Sequence, residues 1–407
     1  MKRRDALRNL SVWPVAGIAM GSALPINSLL ASPVAPPPGK RNLFKELGIR
    51  TFINAAGTYT FMSGCLMHEE VVDAIRSTAG EFALIDDVQD KAGAKIAELC
   101  HAEAATVTAG CWSALVLGTA GVLTGMDQKK VAQLPRLDGM KSEVLVQKTH
   151  NSGYVHALTN TGVTLIEVET SADVEKSYNE RTAMMWFLNY AGPDGKISDK
   201  EWVELGKKLH IPTMIDIAAD ATPVENMWKF NDMGFDLVCI SGGKGIRGPQ
   251  SAGILMGKKE LIAAARLNAP PRGGNIGRGM KVNKEEILGM YVALEKFINL
   301  DHDKQWKIWE DRVAIMEGAA KKVNGVTTSV FVPPVANRTP TLVISWDINK
   351  VKVSKEEFQE RLRKGEPSIE VMGGKDNSIN ITSWNLQPGQ EKIVAKRLKE
   401  ELGNASV

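Results

Sequence analysis

Apolar and polar positions fall in blocks whose period switches between that of a strand and that of a helix. Residues 104–108, 144–146, 163–168, 182–190 and 212–217 are short runs rich in apolar or β-branched residues, and each predicts a strand. Between them the spacing is helical. The segment 69–82 repeats Val71, Val72, Ile75 and Ala79; 86–102 repeats Val88, Ala92, Ile96 and Leu99; 198–209 repeats Trp202, Leu205 and Leu209. Residues 115–123 and 153–161 also read as helix, and 224–233 as a mixed connection. This alternation from about 104 to 256 implies a largely parallel sheet with helices on both faces. Beyond it, helices are expected at 285–300, 306–323, 355–364 and 391–402, with strands at 327–332, 342–346 and 379–382. The expected organisation is an α/β large domain over 42–300 and a small C-terminal α+β domain over 301–407. Residues 42–60, with a strand near 51–54, are expected against the small domain.

One stretch, DLVCISGGKGIRGPQSAGIL from Asp236 to Leu255, breaks the pattern. Two apolar runs flank a glycine-rich turn that holds Lys244. Lysine is costly to bury and glycine weakens strands, so stability alone does not select this arrangement. A partly desolvated lysine suits Schiff-base chemistry, although a hairpin surface lysine fits this stretch alone as well. A nucleotide-binding P-loop is excluded, because Gly245 follows the lysine where that motif needs Ser or Thr and then a helix.

Other strand ends carry complementary chemistry, and ligands gather at such ends in parallel sheets. Gly110, Cys111, Trp112 and Ser113 follow the 104–108 strand and open a helix, a place where free N–H groups attract an anion. Asp216 closes another strand and His150 follows a third. A Schiff-base lysine, an anion cradle, a carboxylate for a ring nitrogen and a flat side chain to stack on a ring together suggest pyridoxal 5'-phosphate, PLP.

The formal net charge is +3 over 407 residues, and no basic run marks a nucleic-acid surface. Four cysteines, Cys65, Cys100, Cys111 and Cys239, show no metal-ligand spacing. At the N-terminus, Arg3-Arg4 precedes a weakly apolar segment interrupted by Pro14 and Pro25. Residues 1–31 resemble a twin-arginine export signal rather than a stable membrane span, with 32–41 as a proline-rich linker. The expected location is periplasmic, the alternative cytoplasmic.

The segments INAAGTYTFMSGCLMHEEV (53–71), MIDIAAD (214–220), SGGKGIRGPQSAGIL (241–255) and IGRGMKVNKEEILGM (276–290) resemble the selenocysteine synthase-like branch of fold-type I PLP enzymes, nearest to the D-glucosaminate-6-phosphate ammonia-lyase relatives. The resemblance implies a fold-type I PLP-dependent transferase-like fold, with Lys244 bonded to the cofactor and Asp216 at its ring nitrogen. It also implies Gly110, Cys111, Trp112 and Ser113 around the phosphate, with Ser241 and Gly274 as further cofactor contacts. A homodimer or higher homo-oligomer is implied, with the loop 273–279 near a neighbour's cofactor. Two departures stand out. Cys111 and Trp112 occupy a cradle usually made of small residues, and Ser368-Ile369-Glu370-Val371-Met372 stands where the family pattern often continues to an arginine.

The expected activity is a PLP-dependent lyase acting by α,β-elimination on a small amino acid-type substrate, an amino acid or amino sugar acid. Lys244 is the catalytic base, Tyr59 a candidate for proton transfer, and Arg278 and Arg247 candidates for the substrate carboxylate. Racemase, aldolase and aminotransferase chemistry are alternatives on the same residues. An exported binding protein of the same fold is the non-enzymatic alternative.

Overall fold

The computed structural model describes residues 41–407; the expected export segment, 1–31, and all but the last residue of the expected linker lie outside the described residues. Of the N-terminal unit, which ends at Thr51, the described part holds one helical turn, α1 (Leu43–Glu46). Asn42 caps it by accepting from the Lys45 N–H, and Arg41 pairs with Glu46.

The remaining unit is built on a seven-stranded sheet. Its strands are β2 (Ala104–Thr108), β3 (Glu143–Gln147), β4 (Thr164–Val168), β5 (Thr182–Leu188), β6 (Thr213–Asp216), β7 (Leu237–Ser241) and β8 (Gly253–Gly257), following a two-residue β1 (Ile53–Asn54) outside this sheet. The spatial order is β2-β8-β7-β6-β5-β3-β4. β7, β6, β5, β3 and β4 run parallel, and β8 is antiparallel to both of its neighbours. The central strands β5, β6, β7 and β8 are buried on both faces, as expected where helices cover both sides.

Strand alternation sorts these side chains into two cores. Leu145, Met185, Phe187, Ile215, Val238 and Ile254 pack to one face, under α2 (Glu69–Thr78), α3 (Ile85–Leu99), α8 (Asp199–Leu209), α9 (Asn226–Met233) and α11 (Lys284–Ile298). Val144, Val146, Trp186, Met214 and Cys239 pack to the other, against α4 (Gly110–Thr124), α6 (His156–Thr159) and α10 (Lys259–Leu267). The short α5 (Gln128–Gln133) and α7 (Ser171–Ser177) complete the connections. α5, α7, α9 and α10 are additions to the sequence-based reading. α9 replaces the mixed connection at 224–233, where Met227 and Phe230 supply a buried face.

The C-terminal region has its own core around α12 (His302–Ala320) and a four-stranded sheet. That sheet joins β9 (Val326–Phe331), β10 (Thr341–Trp346), β12 (Met372–Gly373) and β13 (Ser378–Thr382), with α12 and α13 (Lys355–Lys364) against it and α14 (Gln390–Asn404) packed on those two helices. β1 pairs in parallel with β11 (Ile369–Glu370), and Ile53 and Ala55 lie in this C-terminal core.

β2 is an edge strand, and its open side is closed by a buried glutamine. Gln89 on α3 donates Nε2–H to Val107 O at 2.7 Å, and its Oε1 accepts from Val107 N–H at 3.0 Å and Thr106 Oγ1 at 2.9 Å. The side chain thus substitutes for a neighbouring strand beside the strand that leads into α4. Gln89→Leu should cost about 2 kcal/mol by orphaning the Val107 amide and carbonyl, read as a lowered urea midpoint of unfolding. An unchanged midpoint would show that the edge does not depend on this amide.

Candidate active site

The period-two geometry of β6 puts Asp216 on the same face as Met214, toward α4. Asp216 is 3 % exposed, and the register places Cys239 of β7 directly beside it. Its Oδ1 accepts the Ala218 N–H at 2.9 Å and the Cys111 thiol at 3.6 Å. Burial pushes its carboxyl above the ordinary value, while the Ala218 N–H, Lys244 and the Cys111 thiol pull it back.

Lys244 lies just past β7 in a connection that folds tightly on itself. The Gly242 N–H bonds to Ala252 O at 2.9 Å, and the Gly248 N–H to Gly242 O at 2.8 Å. A Cβ on Gly242 would meet the Met290 Sδ at 2.3 Å, so the glycine is needed for close packing on α11. Lys244, Asp216 and Tyr59 line one cavity of about 380 Å³. Its wall combines the end of the sheet with Ala56, Gly57 and Thr58 beyond β1, and with Asn337, Thr382 and Trp384 from the C-terminal region.

Beside this cavity, Gly110 begins α4 with φ +79°, a left-handed conformation that suits glycine. Ala109, its cap residue, makes no side-chain hydrogen bond to the helix N-terminus. On β8, a Cβ at Gly253 would come within 2.6 Å of the Cys111 amide nitrogen, so that approach is open only to glycine. The Ser113 hydroxyl is turned back, donating to Ala109 O at 2.8 Å. Trp112 is exposed. The Cys111 contact to Asp216 joins this first turn to the cavity.

Several predicted residues stand elsewhere. His150 is a correction to the expected ring-stacking role: it is fully buried, and it lies outside the cavity lining. Its Nδ1 accepts the Leu188 N–H at 3.1 Å, and its ring packs edge-on to Phe187 with centroids 4.5 Å apart. Burial lowers its pKa to about 4, which keeps the ring neutral and fit for that acceptor role. Arg247 donates its Nε–H to Leu66 O at 2.8 Å, with φ +57°, and is outside the lining. Arg278 and Gly274 are exposed in the loop between α10 and α11. Ser241 ends β7 opposite Gly253.

The lining also contains residues the sequence did not single out, namely Tyr154, Tyr190, Asn337, Thr382, Trp384 and Asp220. Asp220 is 2 % exposed and accepts the Ala336 N–H at 2.7 Å. Burial pushes its carboxyl up, partly offset by that bond and by Asn189. Its place four residues after Asp216, in IDIAAD, was the available signal. It also borders a second cavity of about 630 Å³, reaching Lys229 and Arg338.

These features fit PLP. A lysine and a buried carboxylate share one cavity, and a helix start free of side-chain caps lies next to the carboxylate. Among the described residues, Thr382 Oγ1 and Trp384 Nε1 are buried in the lining without hydrogen-bond partners, and buried polar atoms are rarely left so. Burying an acid whose Oδ2 receives no hydrogen bond among the described residues suits a cationic ring nitrogen.

Comparison with known proteins supports the fold and the cofactor. Residues 142–324 match the family model SelA, L-seryl-tRNA selenium transferase. The D-glucosaminate-6-phosphate ammonia lyase of Salmonella typhimurium is 25% identical over 375 residues, covering 88% of this chain and 97% of the relative. A 5'-C-glycyluridine monooxygenase-decarboxylase from a Streptomyces species is 23% identical, covering 88% and 92%. A solved structure of D-glucosaminate-6-phosphate ammonia-lyase superposes with a TM-score of 0.79 at 23% identity, covering 90% of this chain and 100% of that one. In its sequence motifs, its sheet order and these likenesses the chain is similar to the selenocysteine synthase-like enzymes, and it has the fold of the fold-type I PLP enzymes.

Proposed function

We propose that the protein is a PLP-dependent lyase that carries out α,β-elimination on an amino acid or amino sugar acid and releases ammonia. The observation that carries this reading is the meeting of Lys244 and the buried Asp216 in one cavity beside the uncapped start of α4. The ammonia-lyase relative, aligned over nearly its whole length, supports the reaction class.

When bound, PLP supplies an aldehyde that receives amines and a ring that takes up the electrons released at the substrate α-carbon. The chain's own groups hold and direct the rest. The N–H groups of the first turn of α4 would receive the phosphate, using the partial positive charge of a helix start. Asp216 would keep the ring nitrogen protonated. Lys244 Nζ takes the α-proton of the substrate as general base. Tyr59 would then return a proton to the departing β-substituent. Burial and the neighbouring Tyr190 raise the Tyr59 phenol, which keeps it protonated as a donor requires.

No arginine lines the cavity among the described residues, so a substrate carboxylate would be met by Asn337, Thr382 and Trp384 or by a second subunit. A homodimer is the assembly we favour. Phe61, Leu66, Phe82, Leu84 and Trp112 are large apolar side chains left exposed on one subunit. Among the described residues, no helix is long and apolar enough to cross a membrane. Arg3-Arg4 and the weakly apolar segment after it support twin-arginine export to the periplasm.

Added PLP should give the wild type a visible absorbance band, and borohydride reduction should fix the label on Lys244. Lys244→Ala should lose both, and Gly253→Ala should weaken cofactor retention at least about tenfold by crowding the first turn of α4. Incubation with D- and L-amino acids and 2-amino sugar acids should release ammonia and 2-oxo acid in equal amounts. Exchange of the α-proton for deuterium without 2-oxo acid would replace the lyase reading with a racemase.

Asp216 also makes a prediction for the cofactor-free protein. Its carboxyl is raised by burial, so the folded chain holds the proton more tightly than the unfolded chain. Below the unfolded value the group has no effect on stability. Stability falls as pH rises between the unfolded and folded values, and it stays reduced above them. Asp216→Asn should therefore raise the melting temperature of the cofactor-free protein at neutral pH and leave it unchanged in acid. Equal melting at neutral pH would show that this charge costs the fold nothing.

A further inference from the structure

We propose that Cys111 is a positioning residue for Asp216, its thiol hydrogen bond to Oδ1 turning the carboxylate so that Oδ2 serves the cofactor ring nitrogen. This inference rests on the PLP reading above. Three observations carry it. The Cys111 Sγ lies 3.6 Å from Asp216 Oδ1, and the Ala218 N–H reaches the same oxygen at 2.9 Å. Oδ1 is thus held by two donors from two different elements, which fixes the rotation of the carboxylate. Oδ2 takes no hydrogen bond among the described residues and belongs to a residue that lines the cavity.

The cysteine does this from an unusual place. It stands in the first turn of α4, where a phosphate cradle calls for backbone N–H groups rather than side chains. Its side chain is buried against the sheet and belongs to the same core as Cys239 and Met214. Asp216 therefore meets a thiol from α4, a second thiol from β7, the Lys244 ammonium from the connection beyond β7, and the Asp220 carboxyl from its own following connection. Burial and the nearby Asp216 push the Cys111 thiol well up, so the sulfur keeps its proton and donates.

A donor to the charged form of an acid lowers that acid's affinity for a proton. Between Asp216 and a ring nitrogen, the thiol therefore biases the shared proton toward the nitrogen, where it makes the ring electron-accepting. Asp216 in turn raises the neighbouring Asp220 carboxyl by like-charge repulsion.

Two measurements test this, one without cofactor and one with it. In the cofactor-free protein, the infrared S–H band lost in Cys111→Ala should lie at the frequency of a hydrogen-bonded thiol. It should move when Asp216 takes a proton in acid, and again in Asp216→Ala. A band that ignores both changes overturns the proposal, and the acid titration decides the matter if Asp216→Ala fails to fold. With PLP bound, the pH at which its visible band changes should shift in Cys111→Ala by about half to one unit, a threefold to tenfold change in proton affinity. Cys111→Ser, which keeps a donor, should restore most of it. An unmoved midpoint in Cys111→Ala, or an equal shift in both variants, would overturn the positioning role. If the wild type takes up no PLP, the function proposed above falls and this inference with it. If PLP binds and only the midpoints fail, the inference alone is lost.

Discussion

A carboxylate almost without water around it, at the end of β6, is the constraint on which this structure depends. Burying a charge is costly unless other groups compensate. Here compensation comes from an amide two residues on, from the lysine beyond β7, and from a thiol at the start of α4. Each comes from a different part of the chain. Holding Asp216 in place thus brings β6, β7 and α4 into one junction, and that junction is the candidate active site. A cationic ring nitrogen is a partner that suits such an acid.

Much of this was legible because strand ends are punctuated by glycine and by polar residues that stability would not select. The lysine stretch, the IDIAAD strand end and the AGCWS turn pointed to Lys244, Asp216 and the start of α4, which the structure brings together at one end of the sheet. The main strands and most long helices were visible in the period of the apolar residues. α7 and α10 were passed over because their apolar residues are few or small, and β11 and β12 because two-residue strands carry no pattern.

The misreadings have a common cause. His150 follows a strand end just as Asp216 closes one, yet a 3-10 turn after β3 carries it into the core. Asp220, Thr382 and Trp384 were missed for the opposite reason: nothing in their local sequence says that they converge. Which residues face a cavity depends on the angle at which the chain leaves each strand and on segments far apart in sequence. One-dimensional spacing reports elements well and convergence poorly.

The pairing of β1 with β11 carries a consequence for how the protein comes into being. Ile53 is made about three hundred residues before its partner Ile369. Residues Ala56 to Thr60, which wall the cavity just after β1, therefore cannot find their final place on a growing chain. Until the last strands are made, the nascent protein can hold a sheet and a lysine but not an enclosed reaction chamber. Such distant pairing slows maturation, since the loop between partners must close before their contact contributes. The pairing of Ile53 with Ile369 is thus one condition for enclosing the cavity.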